Sequence, residues 1–202
     1  VKADHLAEVR ARPEVLARLG QDPIMARLIE RHGPYRWGVH GVFPALLRAV
    51  VGQQVSNAAA RAIFGRLVDA VGLAPERLLA AGEAGLRALG VSRAKARTIL
   101  DLARLAARGA FADFATLSDA EVRRRLLGQK GVGPWTVDMV LIFGLGRLDV
   151  WPVRDLGLRQ KATVLYGLKD EAELQALGAR FAPYRSVAAH YLWAENDLGQ
   201  GG

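Results

Sequence analysis

Leu126–Asp155, LLGQKGVGPWTVDMVLIFGLGRLDVWPVRD, is the stretch whose reading decides the rest of the chain. Its first part, Leu127-Gly128-Gln129-Lys130-Gly131-Val132-Gly133-Pro134-Trp135-Thr136, reads as the end of one helix, a tight turn and the start of another. Gly131 and Gly133 permit positive φ and leave no side chain in the way of a ligand, and Pro134 suits a first helical residue that needs no N–H. Unpaired N–H groups at a helix start, backed by the positive end of the helix dipole, suit an anion, most simply a phosphate. Lys130 adds a positive charge beside them. Before the turn, Ser118-Asp119-Ala120-Glu121 fits a capping box ahead of Val122, Leu126 and Leu127, and Arg123-Arg124-Arg125 on that helix reads as a solvated face. After it, Val137, Val140, Leu141 and Phe143 mark the buried side of the second helix, which Gly144-Leu145-Gly146 ends.

Elsewhere strand signals are sparse and helical periodicity is nearly continuous, which predicts an all-α protein. Leu6, Val9, Val15, Leu16 and Leu19, then Ile24, Leu28 and Ile29, predict two helices over 6–31 broken near Gly20–Pro23. Residues 33–41, GPYRWGVHG, read as a loop, with core packing the simpler role for Tyr35 and Trp37 and the wall of a pocket the other. Phe43, Leu46, Leu47, Val50 and Val51 predict a helix running into Gly52-Gln53-Gln54-Val55-Ser56, where Ser56 caps the next helix, with Ile63, Phe64 and Leu67 on its apolar face. A basic amphipathic helix follows Leu89-Gly90-Val91-Ser92, with Ile99 and Leu102 inside and Arg93, Lys95 and Arg97 outside, where a solvated face is the simpler role and contact with DNA the other. Helices over roughly 155–166, 170–182 and 185–197 complete the chain.

The 202 residues are enough for a substantial core in one or two domains, and 51% hydrophobic with 24% charged residues is ordinary globular composition. A net charge of +8 and a pI near 10.4 favour a polyanionic partner such as nucleic acid. No apolar run is long enough to span a bilayer, and VKADHLAEVR lacks the apolar core of a signal peptide, which predicts an intracellular protein of the cytoplasm and nucleoid, or of the nucleus in a eukaryote. With no Cys, the chain has no disulfide, Cys-ligated zinc or iron–sulfur cluster. The four histidines, His5, His32, His40 and His190, show no metal-ligand spacing. A Walker loop, a G-x-S-x-G elbow and a dinucleotide fingerprint are all missing from the sequence.

The h-x-G-x-G-P-W-T hairpin followed by Asp149-Val150-Trp151-Pro152-Val153-Arg154-Asp155 resembles the helix-hairpin-helix (HhH-GPD) base-excision DNA glycosylases, in particular the 3-methyladenine DNA glycosylase II branch that removes alkylated purines. The resemblance covers roughly residues 43–195. It implies two helical subdomains flanking a DNA-binding cleft with the hairpin at their junction: N-terminal helices over 1–42 packing with the C-terminal half, a central subdomain over 43–128, and hairpin, catalytic segment and C-terminal helices over 129–202. With only about forty residues ahead of the matched region, the compact form without a β-rich N-terminal domain is expected. By the same resemblance the hairpin grips DNA backbone through Lys130, Gly131, Gly133 and the Thr136 hydroxyl. Gln54, in G-Q-Q-V-S, enters the duplex where the damaged nucleotide has left, a task that suits a residue able to fill space and hydrogen-bond the orphaned base.

Asp155, and not Asp149, is then the catalytic carboxylate. Pro152 is read as opening the following helix, which puts Asp155 in a first turn where the dipole favours its ionised form; capping that helix is its plainer role. Trp193 and Trp135 match aromatic residues at the base pocket, with Met139 and Leu156 where some relatives carry tyrosines. Trp135 also stands where strand-cutting relatives use a lysine nucleophile, which implies a monofunctional hydrolase leaving an abasic site. The backbone carbonyls of Leu127, Gln129 and Val132 correspond to those that hold a monovalent cation, Na+ or K+, while catalysis requires no cofactor. The expected partner is double-stranded DNA containing alkylated bases, bound by a monomer. A non-catalytic helix-hairpin-helix DNA-binding module is the alternative; an interaction protein with a helical groove explains neither the glycines nor the charge.

Overall fold

Four helices of this protein begin on a proline, Pro13, Pro23, Pro75 and Pro134, and the residue before each is extended, as the clash with the proline ring requires. Side-chain caps mark one of these starts, where Asp22 precedes Pro23, and five others: Asp22, Ser56, Ser92, Ser118, Asp155 and Asp170 each accept a backbone N–H of the first turn. The computed structural model describes residues 7–195. The elements in order are β1 (Ala7–Arg10), α1 (Pro13–Leu19), α2 (Pro23–His32), β2 (Arg36–Val39), α3 (Val42–Gly52), α4 (Asn57–Ala70), α5 (Pro75–Ala88), α6 (Arg93–Ala107), α7 (Asp119–Leu127), α8 (Pro134–Met139), α9 (Leu156–Tyr166), α10 (Glu171–Arg180) and α11 (Arg185–Ala194). A 3₁₀ turn lies at Phe114–Thr116, and α8 widens into a π-helical turn over Val140–Gly144.

The all-α expectation therefore holds apart from one small sheet. Residues 7–10, predicted helical through Val9, form β1, because Pro13 obliges α1 to start afresh and the preceding chain pairs instead with β2. β2 lies inside the predicted loop, between Gly33 (φ 71°) and Gly41 (φ 85°). Tyr35 and Trp37 are core residues, 3% and 7% exposed. His5, Leu6 and positions 196–197 of the predicted last helix lie outside the described residues.

The described chain divides into two compact units, residues 40–145 and residues 7–39 with 146–195. In the first, α3 is buried nearly all round, as expected of a helix apolar on every side, and α4, α6, α8 and the π turn pack around it. There α7 is fastened to α8 by Arg123, whose Nη2 lies 2.7 Å from Oδ1 of Asp138, a carboxylate 5% exposed. The triple arginine is thus no simple solvated face: Arg124 and Arg125 pair with Glu121, and Arg125 also reaches Asp113. Glu121 is consequently turned away from the reciprocal half of the capping box, and only the Ser118 cap is made.

In the second unit β1 and β2 pair antiparallel with Val9 opposite Trp37, and α11 packs on α2 and α9. Its segment leading to Asp155 is stapled to the start of α11. Arg185 donates Nε to Oδ1 (2.7 Å) and Nη2 to Oδ2 (2.9 Å) of Asp149, while the Ser186 hydroxyl accepts the N–H of Val150 at 2.9 Å. The hydrogen bonds from Arg185 hold the Asp149 carboxyl below its ordinary value. A depressed carboxylate contributes stability that is complete above the unfolded-state pKa of about 3.9 and disappears as pH falls through the folded-state value. Asp149→Asn is accordingly expected to lower the melting temperature at neutral pH and to flatten its fall below about pH 4, read from thermal melts across pH. Arg123→Met should remove the ion-pair partner of a buried carboxylate and cost about 3 kcal/mol, with much of that recovered in Arg123→Met/Asp138→Leu, measured by urea denaturation.

Candidate functional site

The hairpin turn is shaped by what residue 131 lacks. Gly131 adopts φ 82°, and a β-carbon there would sit 2.3 Å from Oγ1 of Thr98 on α6, so both backbone and packing demand glycine. On either side, the Leu126 carbonyl accepts the N–H of Gln129, the Gln129 carbonyl accepts that of Val132, and Val132 plugs the turn at 7% exposure. Gly133 is extended (φ −104°, ψ 175°) as the cap of α8, and a β-carbon there would meet nothing within 4 Å. Lys130 is exposed and Leu127 is 45% exposed. Thr136 is not: at 1% exposure its hydroxyl accepts Nε2 of Gln53 at 2.9 Å, so its position makes it an internal brace of the hairpin and not an outward hydroxyl for phosphate.

Gln53 and Gln54 belong to the loop after α3. Gln54 is exposed and, at φ 53°, is the one non-glycine described residue with positive φ, a conformation that costs an L residue roughly 1–2 kcal/mol. Beside it Val55 is 38% exposed. Gln53 turns inward, giving Nε2 to the Gly131 carbonyl (3.0 Å) as well as to Thr136. Lys95, read from sequence as solvated, instead donates Nζ to the carbonyls of Val51 (2.9 Å) and Gln53 (2.5 Å), and partial burial lowers its pKa. Its companions Arg93 and Arg97 pair with Glu83. Sequence reasoning missed the structural tasks of Gln53 and Lys95; the only advance signal was the polar Gln-Gln pair at the end of an otherwise apolar helix.

In the other unit Asp155 is the cap of α9 and not a residue of its first turn, because Pro152–Asp155 closes a turn of its own, with the Asp155 N–H on the Pro152 carbonyl at 2.8 Å. Oδ1 of Asp155 accepts the N–H of Leu158 at 2.7 Å and the indole Nε1–H of Trp193 at 2.9 Å. Gly157 leaves room for this arrangement: a β-carbon there would approach Asp155 Oδ1 to 3.3 Å and Trp193 Cδ1 to 3.7 Å. The half-buried carboxylate is thus fixed in place by a helix start and an aromatic N–H. Leu156, next to it, is 68% exposed. The structure brings Asp155, Leu156 and Trp193 together in this unit. Trp135 and Met139 belong to the unit of the hairpin, where Met139 is 9% exposed and Trp135 lies against the end of α3, its Cη2 3.7 Å from the place of a β-carbon on Gly52.

Among the described residues no group of His, Asp and Glu is placed to hold a metal ion, and no helix is long and apolar enough to cross a membrane. Residues 47–182 match the HhH-GPD superfamily base excision DNA repair protein family. DNA-3-methyladenine glycosylase 1 of Schizosaccharomyces pombe is 33% identical over 193 residues, covering 89% of this chain and 85% of the relative. A Bacillus subtilis relative named for DNA-3-methyladenine glycosylase activity is 29% identical over 76% of the chain, the match spanning 58% of that longer protein. The solved structure of the S. pombe 3-methyladenine DNA glycosylase Mag1 in complex with abasic DNA superposes with a TM-score of 0.81 at 32% identity, over 89% of this chain and 95% of that one. With the family matched across the hairpin, the Gln-Gln loop and the Asp155 segment, the chain belongs to the HhH-GPD superfamily of base excision DNA repair proteins.

Proposed function

We propose that this protein is a monofunctional DNA glycosylase that removes alkylated purines, of the 3-methyladenine and 7-methylguanine type, from duplex DNA and leaves an abasic site. The observation that carries the reading is Asp155, a carboxylate held at Oδ1 by Leu158 N–H and Trp193 Nε1–H in a chain whose relatives are named for this activity.

An N-glycosidic bond is out of reach while the base is stacked, so the nucleotide is first rotated out, at a cost of roughly a few kcal/mol that damage lowers. The hairpin, with Lys130 and the backbone of Gly131 and Gly133, holds the strand by its phosphates, and Gln54 fills the space the nucleotide leaves. The end of α7 at Leu127 leaves helix-end carbonyls at the negative pole of its dipole, which suits a monovalent cation on the carbonyls of Leu127, Gln129 and Val132. Such an ion supplies charge between protein and phosphate. Alkylation at N3 or N7 leaves the purine cationic, so it departs with its bonding electrons as a neutral base and needs little acid assistance. The positive charge then develops on the sugar, and the fixed carboxylate of Asp155 stabilises it and orients the water that adds to it. The Trp193 face, next to the carboxylate, offers cation–π attraction to the damaged base. The side chain at 135 is an indole with no amine to attack the sugar, which favours hydrolysis without strand cleavage. The protein acts as a monomer, in the compartment that holds chromosomal DNA.

Asp155→Asn keeps an oxygen for the α9 cap and removes the charge. It is expected to melt close to the parent while release of methylated purines from alkylated duplex falls on the order of 10²-fold or more; duplex binding by both proteins with release by neither identifies a non-catalytic module instead. Gly133→Asp fits the fold sterically and sets a carboxylate against phosphate. Anisotropy titrations should show binding weakened about tenfold on every duplex sequence alike, and a loss confined to one base context contradicts a backbone grip.

A further inference from the structure

We infer that Gln53 is a positioning residue that couples the duplex wedge to the backbone-gripping hairpin, so that the two act as one rigid tool. The inference rests on the functional reading above and concerns a residue to which that reading gives no task.

The geometry is closed at every point. The side-chain amide of Gln53 has two N–H donors, and both go to the hairpin: one to the Gly131 carbonyl at 3.0 Å, the other to the Thr136 hydroxyl at 2.9 Å. A carbonyl can only accept, so the Gly131 contact also settles which way the amide faces. The main chain of the same residue is held from the opposite side, where Lys95 Nζ takes the Gln53 carbonyl at 2.5 Å and the Val51 carbonyl at 2.9 Å. Val51 lies in the last turn of α3, whose carbonyls the helix leaves unbonded, and Gln53 is the residue that ends it. Lys95 and Thr98 lie one turn apart on α6, and Thr98 is the side chain against which Gly131 is pressed. One end of α6 is therefore the common reference for wedge loop and hairpin, and Gln53 is the strut between them. Gln54, exposed and held at positive φ, follows directly. With its donors committed inside the protein, Gln53 serves the reaction by fixing where Gln54 stands relative to the gripped phosphates, not by touching DNA.

The test compares Gln53→Met, which keeps length and removes both donors, with Gln53→Glu, which sets a carboxylate against the Gly131 oxygen. Lys95→Met releases the same loop from its other side. For each, three quantities are measured: binding to undamaged duplex, fluorescence of 2-aminopurine placed opposite an abasic site, and single-turnover release of 7-methylguanine at saturating enzyme. Gln53→Met and Lys95→Met are expected to bind undamaged duplex within about 3-fold of the parent, to lose most of the fluorescence change, and to release base about 10-fold or more slowly, the scale of two modest hydrogen bonds. Gln53→Glu is expected to be slower still at pH 8. Relative to the parent at each pH it should recover as pH falls towards 5.5, because a carboxyl facing two oxygens has a raised pKa and, once protonated, again donates; Gln53→Met should show no such recovery. Parent-like release and fluorescence in Gln53→Met, or a loss of release matched by an equal loss of duplex binding, overturns the strut while leaving the functional reading in place. A parent protein that neither perturbs 2-aminopurine nor releases base overturns the functional reading itself, whereas Asp155→Asn should keep the fluorescence change and lose only release.

Discussion

The approach of the Gly131 backbone to Thr98, so close that a β-carbon would lie 2.3 Å from the threonine Oγ1, sets how the hairpin is carried. A turn on a protein surface ordinarily has soft neighbours. This one is pressed onto a threonine 8% exposed whose own helix is anchored in the core by Ala96, Ile99 and Leu102, so the hairpin inherits the rigidity of α6. Glycine at 131 is needed twice over, for φ and for space, and each need would exclude other residues without the other. Rigid placement matters to the proposed backbone grip, because such a grip carries no sequence information and its value lies in delivering a strand at a fixed register.

Asp155 shows how a fold can hold a carboxylate at the place where the proposed reaction needs one. The bland role foreseen for it, a helix cap, is real, since its Oδ1 accepts Leu158 N–H. Capping and catalysis are not rivals at this position. The same N–H that stabilises α9 fixes the carboxylate in place, and the Trp193 indole N–H adds a second fixed donor. Donors locked by packing need no reorganisation as positive charge develops on a sugar, which is where such a site gains over water. The staple of Arg185 and Ser186 on Asp149 and Val150 extends this logic a few residues back, to the chain that delivers Asp155.

Local chemistry was legible in the sequence wherever one residue type answers a short-range need. Gly131 in the turn, Pro134 at the start of α8, and Ser56 and Ser118 as caps read correctly because each acts within a few residues of itself, whereas Pro152, read the same way, opens a turn ahead of α9 and not the helix. What escaped depends on partners far along the chain. Lys95 and Arg123 sit on amphipathic helices at positions where periodicity predicts solvent, and only folding reveals carbonyls or a buried carboxylate within reach of a long side chain. The strand at Ala7–Arg10 was lost for a related reason, since four residues with one central valine carry no period and their partner lies beyond two helices. Gln53 was adjacent to a residue that had already been given a task, and a polar pair offers no sign of which member faces inward.

The net charge of +8 takes on a different meaning once the ion pairs are placed. Arg124, Arg125, Arg180 and Arg185 all bond carboxylates of the same chain, so their charge is offset locally and adds little field of its own. The excess acts at long range, drawing the protein to a polyanion irrespective of sequence. In the proposed reaction, selecting a damaged nucleotide from that undiscriminating attraction falls to short-range parts: the glycine turn, the exposed Gln54 held at an unfavourable φ, and the carboxylate of Asp155 with its two donors. Each of these parts is rigid for an identifiable reason, and rigidity is what turns diffuse attraction into the geometry a reaction on one base requires.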